Sequence, residues 1–457
     1  MNPDSQAILA LTRELCAFPT GVAAPANEAL FAHLGSVIPQ GLTLHRFASG
    51  TSHNGWRVPP SWEIAGASLE RDGVVVWEWD GNPLAVATLS RALDEEMDLE
   101  ELRPHLVSDP GRPGQTVFHC RWQYRPWEAD WALCLPHRLV EALTPGRYRV
   151  RIDTRTAPGE MIVGVADHAG EWPQTIVLNA HTCHPGQAND GMVGVATLVR
   201  LFQSLAGRRT RYSYRLVLGP EHLGTVFLLS GASPEEIARM VAGVFVEMTG
   251  VRAPLKATAT FRGGEPIDRA VARALEGTEH VRVGWREGAG NDETVWEGPG
   301  VEVPFVELTR CIDQFDPFPE YHSDADTPAT LDRARVGEAY AVMARLVEGL
   351  EGDPVVRRTF DGLICLSAPE TGLYVERPDP AIVQDLGPDA DRWGRMSDHL
   401  LRWMDGTMTV ADIAGAAGLP RDAIGEYVTR FERAGLVRVE HAPMPRAPVS
   451  LPVAPLR

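Results

Sequence analysis

The residues from His181 to Gly191 have the types and the spacing that a zinc site needs. His181 follows the apolar run 175–180, which predicts a buried strand, and Asp190 comes nine residues later. Neutral imidazole and carboxylate are both common ligands of zinc in proteins. The sequence Asn189-Asp190-Gly191 predicts a tight turn that returns the aspartate towards the strand end. This stretch therefore predicts the beginning of a metal site.

Three further apolar runs end in an acid or lead to a histidine. The second run is followed by Glu221 and His222, the third by Glu247, and the fourth opens a long loop that contains His322. In open α/β sheets, ligands bind beyond the carboxyl ends of the strands, so these four ends are expected to meet at one crevice. Two or three histidines with three acids suit one or two zinc ions, with a bridging carboxylate and a glutamate that activates water.

The elements that must position these residues alternate between strand and helix from residue 160 onward. Such alternation predicts an α/β sheet with helices on both faces. Helical spacing also begins the chain, at residues 6–20 and 26–38. The predicted strands are 160–166, 175–180, 213–219, 243–248, 257–261 and 302–308. The predicted helices of this region are 190–206, 234–241, 267–276, 291–297 and 331–350.

Two regions outside this alternation predict additional modules. Residues 47–150 are rich in tryptophan, proline and short alternating segments, which is typical of a β-rich domain. Residues 353–440 resemble a winged helix-turn-helix, and residues 441–457, rich in proline and alanine, are expected to form a disordered tail. The remaining residues, 1–46 and 151–352, form the predicted main domain.

The bulk composition limits the classes of function. The 457 residues carry a formal net charge of −18, which argues against general nucleic-acid binding because phosphate contacts need a basic surface. The six cysteines are scattered without a CxxC pair, so neither a disulfide framework nor a cysteine-rich zinc finger is indicated. The N-terminus lacks the pattern of a signal peptide, and no apolar run approaches the ~20 residues of a membrane span. We therefore expect a cytoplasmic protein without a membrane partner.

The order of the candidate ligands resembles that of the M28-type zinc aminopeptidases. The resemblance is carried by His181, Asp190, Glu221, Glu247 in Phe-Val-Glu-Met-Thr-Gly, and His322 in Tyr-His-Ser-Asp. The chain is more similar to a bacterial group of aminopeptidase-like proteins known by the domains of unknown function DUF4910 and DUF2172. The inserted region and the C-terminal winged helix also resemble those of this group. The motifs shared with this group are His-Thr-Cys-His-Pro…Ala-Asn-Asp, Asn-Asp-Glu and Pro-Glu-Tyr-His, at residues 181–190, 291–293 and 319–322.

The resemblance implies a fold and a role for each of these residues. The fold is a zinc-aminopeptidase-like (phosphorylase/hydrolase-like) mixed sheet. His181, Asp190 and Glu247 would hold one zinc ion, and Asp190 would bridge to a second ion held by His322. Glu221 would be the general base or a ligand. The implied reaction is removal of an N-terminal residue from a peptide, or cleavage of an aminoacyl amide, in the biosynthesis of a natural product or a polysaccharide precursor.

We also make predictions for other residues near these motifs. Asp292, Glu293 and Tyr321 are candidates for binding the substrate, although two adjacent acids also favour the start of a helix. We expect His184 to pack in the core rather than to bind metal, and Asp326 to form a turn. The additional modules make a homo-oligomer plausible without showing one.

Two departures from the M28 pattern leave alternatives open. The aspartate that orients the first histidine in that pattern is replaced by Cys183. Where M28 enzymes have two adjacent glutamates, Glu221 is followed by His222, which either replaces the second ligand or indicates a single-zinc site. These departures favour, as an alternative, a non-catalytic zinc-binding or peptide-binding protein on the same fold. A winged-helix regulator is a third class, but residues 395–440 contain six arginines against seven acids.

Overall fold

The computed structural model of the protein describes residues 3–315, 317–374, 393 and 399–446. These residues divide into two compact units. The first unit contains the residues up to Gly263 together with Gly277–Ala344. The second unit contains Gly264–Glu276 and the described residues from Arg345 onward.

Helices and strands follow one another along both units. The helices are α1 (Pro3–Leu15), α2 (Asn27–Val37), α3 (Leu99–Leu102), α4 (Arg121–Tyr124), α5 (His137–Ala142), α6 (Val193–Leu205), α7 (Leu223–Ser230), α8 (Pro234–Arg239), α9 (Pro266–Ala274), α10 (Glu293–Trp296), α11 (Arg333–Gly352), α12 (Val410–Ala417) and α13 (Arg421–Arg433). The strands are β1 (Thr43–Ala48), β2 (Ser52–His53), β3 (Trp56–Arg57), β4 (Ser61–Arg71), β5 (Val74–Glu78), β6 (Leu93–Asp98), β7 (Leu106–Val107), β8 (Leu133–Cys134), β9 (Arg147–Ala157), β10 (Glu160–His168), β11 (Thr175–His181), β12 (Ser213–Gly219), β13 (Met240–Val246), β14 (Leu255–Thr258), β15 (His280–Val283), β16 (Phe305–Thr309), β17 (Val355–Arg358), β18 (Asp405–Thr409) and β19 (Val437–Glu440).

The main sheet of the first unit has eight strands in the order β1-β10-β12-β11-β13-β16-β14-β15. Its four central strands, β12, β11, β13 and β16, are parallel to one another. The flanking strands β10 and β14 each run antiparallel to their central neighbour. Because parallel strands present their carboxyl ends at one edge of a sheet, the segments that follow β11, β12 and β13 meet there.

The central strands are held by burial of apolar side chains on both faces. In β11, Ile176, Val177 and Leu178 are buried, as expected for a strand with neighbours on both sides. The polar exception is Asn179, whose Nδ2 donates to the carbonyl of Val217 at 3.1 Å. Its Oδ1 accepts a hydrogen bond from the indole of a buried tryptophan at 2.8 Å. These bonds satisfy the amide, so the strand that carries the first candidate ligand is firmly packed.

The prediction of a mixed α/β sheet is confirmed, with differences at particular elements. The helix predicted at 190–206 begins only at Val193, because Asp190 and Gly191 have non-helical backbone angles. Helix α7 was not predicted, since it is short and its apolar residues show no helical periodicity. Edge strand β15 was missed because it is short and largely exposed.

The inserted region forms a second sheet in the order β5-β4-β9-β6, with all neighbours antiparallel. Its strand β9 continues to Ala157, past the boundary predicted at residue 150, whereas β1 belongs to the main sheet. The core of the region contains, among other buried side chains, Leu69, Leu102, Leu133, Tyr148 and Val150.

The second unit contains a three-stranded sheet in the order β18-β17-β19, with α12 and α13. The side chain of Thr409 accepts the backbone N–H of Asp412 and caps the start of α12. Gly418 ends the helix in the left-handed conformation. The winged helix stays a prediction, because part of the segment lies outside the described residues. Residues 441–446 have no regular secondary structure, and the rest of the predicted tail is also outside them. Among the described helices, none has the length and apolar character needed to span a membrane.

Candidate functional site

The predicted site residues come together at the carboxyl edge of the main sheet. His181 is the last residue of β11, Glu247 follows β13 by one position, and Glu221 follows β12 by two. Asp190 lies in the turn that leads into α6. His322 lies in the loop between β16 and α11. The segments that follow the parallel strands therefore supply one group of side chains, as their common direction requires.

His181, Asp190 and Glu247 form a group whose atoms suit one zinc ion. Nε2 of His181 lies 3.5 Å from Oδ1 of Asp190 and 3.2 Å from Oε2 of Glu247. Ligand atoms about 2 Å from a tetrahedral zinc ion are about 3.3 Å from one another, so these separations fit. Nε2 of His181 and Oε1 of Glu247 are buried without a hydrogen bond of acceptable geometry among the described residues. Buried polar atoms of this kind indicate that a bound cation would be accommodated.

The other carboxylate oxygen of Asp190 faces two more histidines. Its Oδ2 lies 3.1 Å from Nε2 of His322 and 3.9 Å from Nε2 of His184. Asp190 therefore presents one oxygen to each group, which is the arrangement of a carboxylate that bridges two positions. The separation from His184 is longer than the about 3.3 Å expected between two ligands of one zinc ion.

Two of these histidines contact each other through their second ring nitrogens. Nδ1 of His181 lies 3.0 Å from Nδ1 of His184, and both rings are buried. Sγ of Cys183 lies 4.0 Å from the first of these nitrogens and 3.5 Å from the second. The sulfur also accepts the backbone N–H of Glu221 at 3.4 Å. Cys183 is thus a buried side chain whose sulfur contacts both rings and the turn after β12.

Asp326 and Gly191 fix the turn that carries Asp190. The two carboxylate oxygens of Asp326 accept the backbone N–H groups of Asn189 and Asp190 at 2.8 Å and 2.9 Å. Burial raises the pKa of Asp326 to about 7, although these two donors act to lower it. Gly191 has φ +121, and a Cβ there would lie 3.0 Å from Cε1 of His181. Only glycine suits this position, because the turn crosses closely over the imidazole.

Glu221 is held by two donors from distant parts of the chain. The hydroxyl of Tyr124 donates to Oε1, and Nδ2 of Asn291 donates to Oε2 at 3.0 Å. The same amide nitrogen donates to Oε2 of Glu247 at 3.0 Å. Burial opposes the charge on Glu221, but nearby imidazoles, that of His184 foremost, outweigh burial and hold the pKa of Glu221 at about 2. The carboxylate is therefore ionised and oriented at neutral pH.

Protons and a metal ion compete for the same side chains. Burial disfavours a charged His184, but Asp190, Cys183 and Glu221 together outweigh burial and raise the pKa of His184 to about 10. Burial likewise opposes the charge of Asp190, whose pKa the histidines hold well below its usual range. Burial raises the pKa of Glu247 to about 8. A divalent cation would supply the positive charge that these carboxylates attract, and would displace protons as it bound.

His222 is the predicted ligand that the structure does not bring together with the others. It belongs to none of the three groups of side chains among the described residues that could hold a metal ion: His181–Asp190–Glu247, His184–Asp190–His322 and His181–Cys183–His184–Glu221. Its ring lies 6.1 Å from that of Trp56 and 6.3 Å from that of Tyr124, between ring centroids. Its Nδ1 is 3.8 Å from Oδ1 of Asp292, and its φ of 54° places it in the left-handed region. His184 occupies the position beside Asp190 and His322 instead.

Asp292 and Glu293 are buried and bonded to neighbouring loops. Asp292 accepts the backbone N–H of His222 and, at 2.5 Å, the hydroxyl of Thr225. Glu293 accepts the backbone N–H of Asn291 at 2.8 Å. Burial raises the pKa of both carboxyls. These contacts hold the turn after β12 and the start of α10, and binding of substrate by either acid stays a prediction.

Tyr321 lies directly beside a candidate ligand. Its ring stacks on that of His322 with 3.9 Å between centroids. Phe118 of the inserted region packs edge-on against His322 and His184, at 5.7 Å and 5.3 Å. The backbone N–H of Phe118 also donates to the carbonyl of His322 at 2.7 Å. The inserted region therefore forms one wall of the site, and the substrate-binding role of Tyr321 stays a prediction.

Sequence reasoning did not identify three of the residues that shape this site. Tyr124 is 97 positions from Glu221 and lies in a tryptophan-rich stretch without a local signal. Asn291 belongs to the Asn-Asp-Glu motif, of which only Asp292 and Glu293 were predicted to act in the site. Asp326 was expected to be only a turn former, and it does form a turn, but the turn it stabilises is the one that carries Asp190.

Comparison with known proteins gives this arrangement a context. A protein of Clostridium acetobutylicum with the provisional name of polysaccharide biosynthesis protein with aminopeptidase-like domain is 26% identical over 385 residues, which are 83% of this chain and 84% of the relative. A crystal structure of a provisionally assigned peptidase from Clostridium acetobutylicum superposes with a TM-score of 0.75 at 23% identity, over 95% of this chain and 96% of that one. BSAP, a zinc aminopeptidase from Bacillus subtilis, superposes with a TM-score of 0.55 at 12% identity, over 75% of this chain and 94% of that one.

These similarities confirm the resemblance that the sequence motifs predicted. The chain has the fold of the aminopeptidase-like proteins, with a large mixed sheet that carries the candidate ligands on the ends of its parallel strands. The family described as a domain of unknown function, DUF4910, matches residues 10–353. Because this match spans well over half of the 457 residues, the protein belongs to the DUF4910 family.

Proposed function

We propose that the protein is a zinc-dependent aminopeptidase-like hydrolase that releases an N-terminal residue from a peptide or cleaves an aminoacyl amide. One observation carries this proposal: the buried atoms of His181, Asp190 and Glu247 have the separations of ligands of one zinc ion. An ionised glutamate, Glu221, stands beside this group and is held by two donors. The fold and the names of the similar proteins support the same class of reaction.

The residues divide into those that hold the metal and one that moves a proton. Zinc, when bound, polarises a carbonyl group and lowers the pKa of a coordinated water towards neutrality. Glu221 then accepts the proton of the attacking water, with its two oxygens oriented by Tyr124 and Asn291. Asp190 and His322 could hold a second zinc ion more weakly. Of the two histidines beside Oδ2 of Asp190, only His322 lies at the separation expected between ligands of one ion.

A biosynthetic role fits this assignment better than a digestive one. The name of the Clostridium acetobutylicum relative combines polysaccharide biosynthesis with an aminopeptidase-like domain. The inserted region contributes Tyr124 and Phe118 to the site, so it restricts the substrates that can enter. We propose an amide-bearing natural-product or polysaccharide precursor as the substrate class. A cytoplasmic location, a homo-oligomeric state and the C-terminal winged helix stay predictions of the sequence.

A second candidate function is that of a non-catalytic zinc-binding or peptide-binding protein. One observation favours it: both oxygens of Glu221 already accept hydrogen bonds from the protein, from Tyr124 and Asn291. A carboxylate with a pKa of about 2 is also a weak base. In this case the fold would bind zinc and a peptide without cleaving it.

One experiment separates the two candidates. The zinc content of the purified protein and of the Glu221→Gln variant is measured, and both are assayed on a panel of aminoacyl amides and short peptides. We expect zinc in both and a loss of activity of about 10²- to 10⁴-fold in the variant, because general base catalysis contributes that much. Glu235→Gln, an exposed position outside the site, is the matched control. Zinc in both without release by either would favour the binding protein, and a zinc-free parent would overturn the assignment.

A further inference from the structure

We propose that His184 is a positioning residue that orients His181, rather than a ligand of the metal. The inference rests on the proposed zinc function, because it concerns the ring that would bind the ion. Its basis is the contact of 3.0 Å between the Nδ1 atoms of the two buried rings. The ring planes meet at 74°, with the centroids 4.7 Å apart, so the contact is nitrogen to nitrogen and not a stack.

This contact fixes which nitrogen of each ring carries a hydrogen. A neutral imidazole has one N–H donor and one acceptor nitrogen. For His181 to bind zinc through Nε2, its hydrogen must be on Nδ1, and Nδ1–H then donates to Nδ1 of His184. His184, which accepts there, must carry its own hydrogen on Nε2. As neutral rings, the two histidines therefore cannot both bind a metal through Nε2 while they share this hydrogen bond.

The surroundings of His184 agree with this assignment. His184 belongs to two of the groups that could hold a metal ion, and its buried Nε2 has no hydrogen bond of acceptable geometry among the described residues. Its Nε2 nevertheless lies 3.9 Å from both Oδ2 of Asp190 and Oε1 of Glu221, which is longer than the about 3.3 Å between ligands of one zinc ion. An Nε2–H group in this place faces the space between two carboxylates, where an oxygen atom of water or substrate could accept its hydrogen bond. The ring is held by the edge-on contact with Phe118 and by a stack on His322, with 5.1 Å between centroids.

The inference also accounts for the departure at Cys183. The resemblance to M28 enzymes leads us to expect an aspartate there, two residues after the first histidine, to orient that histidine. Sγ of Cys183 is 4.0 Å from Nδ1 of His181, farther than the ring of His184 at 3.0 Å. The structure assigns the orienting hydrogen bond to the imidazole three residues after His181 instead. Outer partners of this kind usually contribute 10- to 100-fold to metal affinity.

Two substitutions at one position separate a positioning role from a ligand role. His184→Asn keeps an acceptor oxygen near the place of Nδ1 but removes the Nε2 group. His184→Gln keeps a polar group near the place of Nε2 but removes the acceptor for His181. We expect His184→Asn to keep the zinc affinity of the parent within about 3-fold, and His184→Gln to lose about 10- to 100-fold. Affinity is measured by competition with a chromogenic chelator, and melting temperatures check that each variant folds.

Each other result overturns the inference in an identifiable way. Equal losses in both variants, or loss of one zinc equivalent in both, would make His184 a ligand while leaving the proposed hydrolase intact. A thiolate charge-transfer band in the cobalt-substituted parent would place Cys183 on the metal and remove the need for an orienting imidazole. A parent that binds no zinc would overturn this inference together with the proposed function.

A second measurement serves if the variants do not fold. In the zinc-loaded parent with nitrogen-15-labelled histidines, long-range nitrogen–proton spectra report which nitrogen of each ring carries hydrogen. We expect hydrogen on Nε2 of His184 and on Nδ1 of His181. Hydrogen on Nδ1 of His184 would overturn the assignment.

Discussion

The carboxylate of Asp326 holds Asp190 in place through the backbone. Its Oδ2 accepts the N–H of Asp190 at 2.9 Å, and its Oδ1 accepts the N–H of Asn189 at 2.8 Å. One candidate metal ligand is thus positioned by an acid that lies 136 residues later in the chain and itself belongs to none of the groups of metal-binding side chains. The loop that carries His322 also carries Asp326, so both sides of Asp190 depend on it.

We predict that Asp326→Asn lowers zinc affinity by about 10- to 100-fold without unfolding the protein. The amide can accept only one of the two N–H groups, and its own NH₂ group then faces the other, at a cost of about 1–3 kcal/mol. The measurement is chelator competition. Asp98→Asn is the control, because Asp98 also accepts two backbone N–H groups, of Glu100 and Glu101, in the inserted region. Unchanged zinc affinity in Asp326→Asn would show that the turn does not need this carboxylate.

We predict that Tyr124→Phe slows hydrolysis by about 10- to 100-fold and leaves the zinc content unchanged. The substitution removes the donor to Oε1 of Glu221, and a hydrogen bond to a charged group contributes about 1.5–3 kcal/mol. The measurement is the steady-state rate on an aminoacyl amide that the parent cleaves.

The control for this prediction is Tyr148→Phe. Tyr148 is buried in the inserted region, and its hydroxyl donates to the carbonyl of Thr144 at 2.7 Å. It loses the same kind of group, but its hydroxyl donates to a backbone carbonyl and not to Glu221. Equal rates for Tyr124→Phe and the parent would show that Glu221 is oriented without the inserted region.

The ligands that could be predicted from sequence are those that follow strands. His181, Glu221 and Glu247 each come at or just after an apolar run, and a parallel sheet brings such ends together without further information. Asp190 was predictable because Asn-Asp-Gly signals a turn at a short distance from His181.

The residues that were missed act through contacts that no local pattern specifies. Tyr124 reaches Glu221 from helix α4 of the inserted region, so its role depends on how that region packs. His184 was expected only to pack, because its distance from His181 on the chain does not reveal the contact between their Nδ1 atoms. His222 shows the converse: it is adjacent to Glu221 in sequence, but it lies outside the groups of side chains among the described residues that could hold a metal ion.

We predict that Gly191→Ala both destabilises the protein and weakens zinc binding. The backbone at φ +121 strains any residue with a Cβ, at about 1–3 kcal/mol, and the added atom would also press on the ring of His181. Gly207→Ala is the matched control, since Gly207 has φ +74 but no neighbouring atom would lie within 4 Å of an added Cβ. Both variants are expected to lose stability in chemical denaturation, and only Gly191→Ala to lose zinc affinity. A Gly191→Ala variant with the zinc affinity of the parent would show that the ring tolerates the atom.

We predict that removing zinc lowers the melting temperature, and that this effect is larger at about pH 8 than at about pH 6.5. Zinc at 100 times its Kd stabilises the folded state by about 2.7 kcal/mol, which corresponds to about 3–4 °C for a chain of this size. The pKa of Glu247 is raised to about 8 and that of His184 to about 10, so between pH 6.5 and 8 the folded, metal-free chain binds more protons than the unfolded one. Its stability therefore falls as the pH rises through this window.

The protons on these side chains also compete with zinc, so the affinity for zinc rises with pH while the stability of the metal-free protein falls. As the pH rises, displacing the protons of Glu247, His181 and His184 costs less free energy, and zinc binds more tightly. The difference in melting temperature between the zinc-loaded and the chelator-treated protein should therefore widen from about pH 6.5 to about pH 8. Asp190→Asn, which removes an anionic ligand, is expected to show little difference at either pH. A difference that is constant with pH, or that persists in Asp190→Asn, would place the stabilising metal elsewhere than at His181, Asp190 and Glu247.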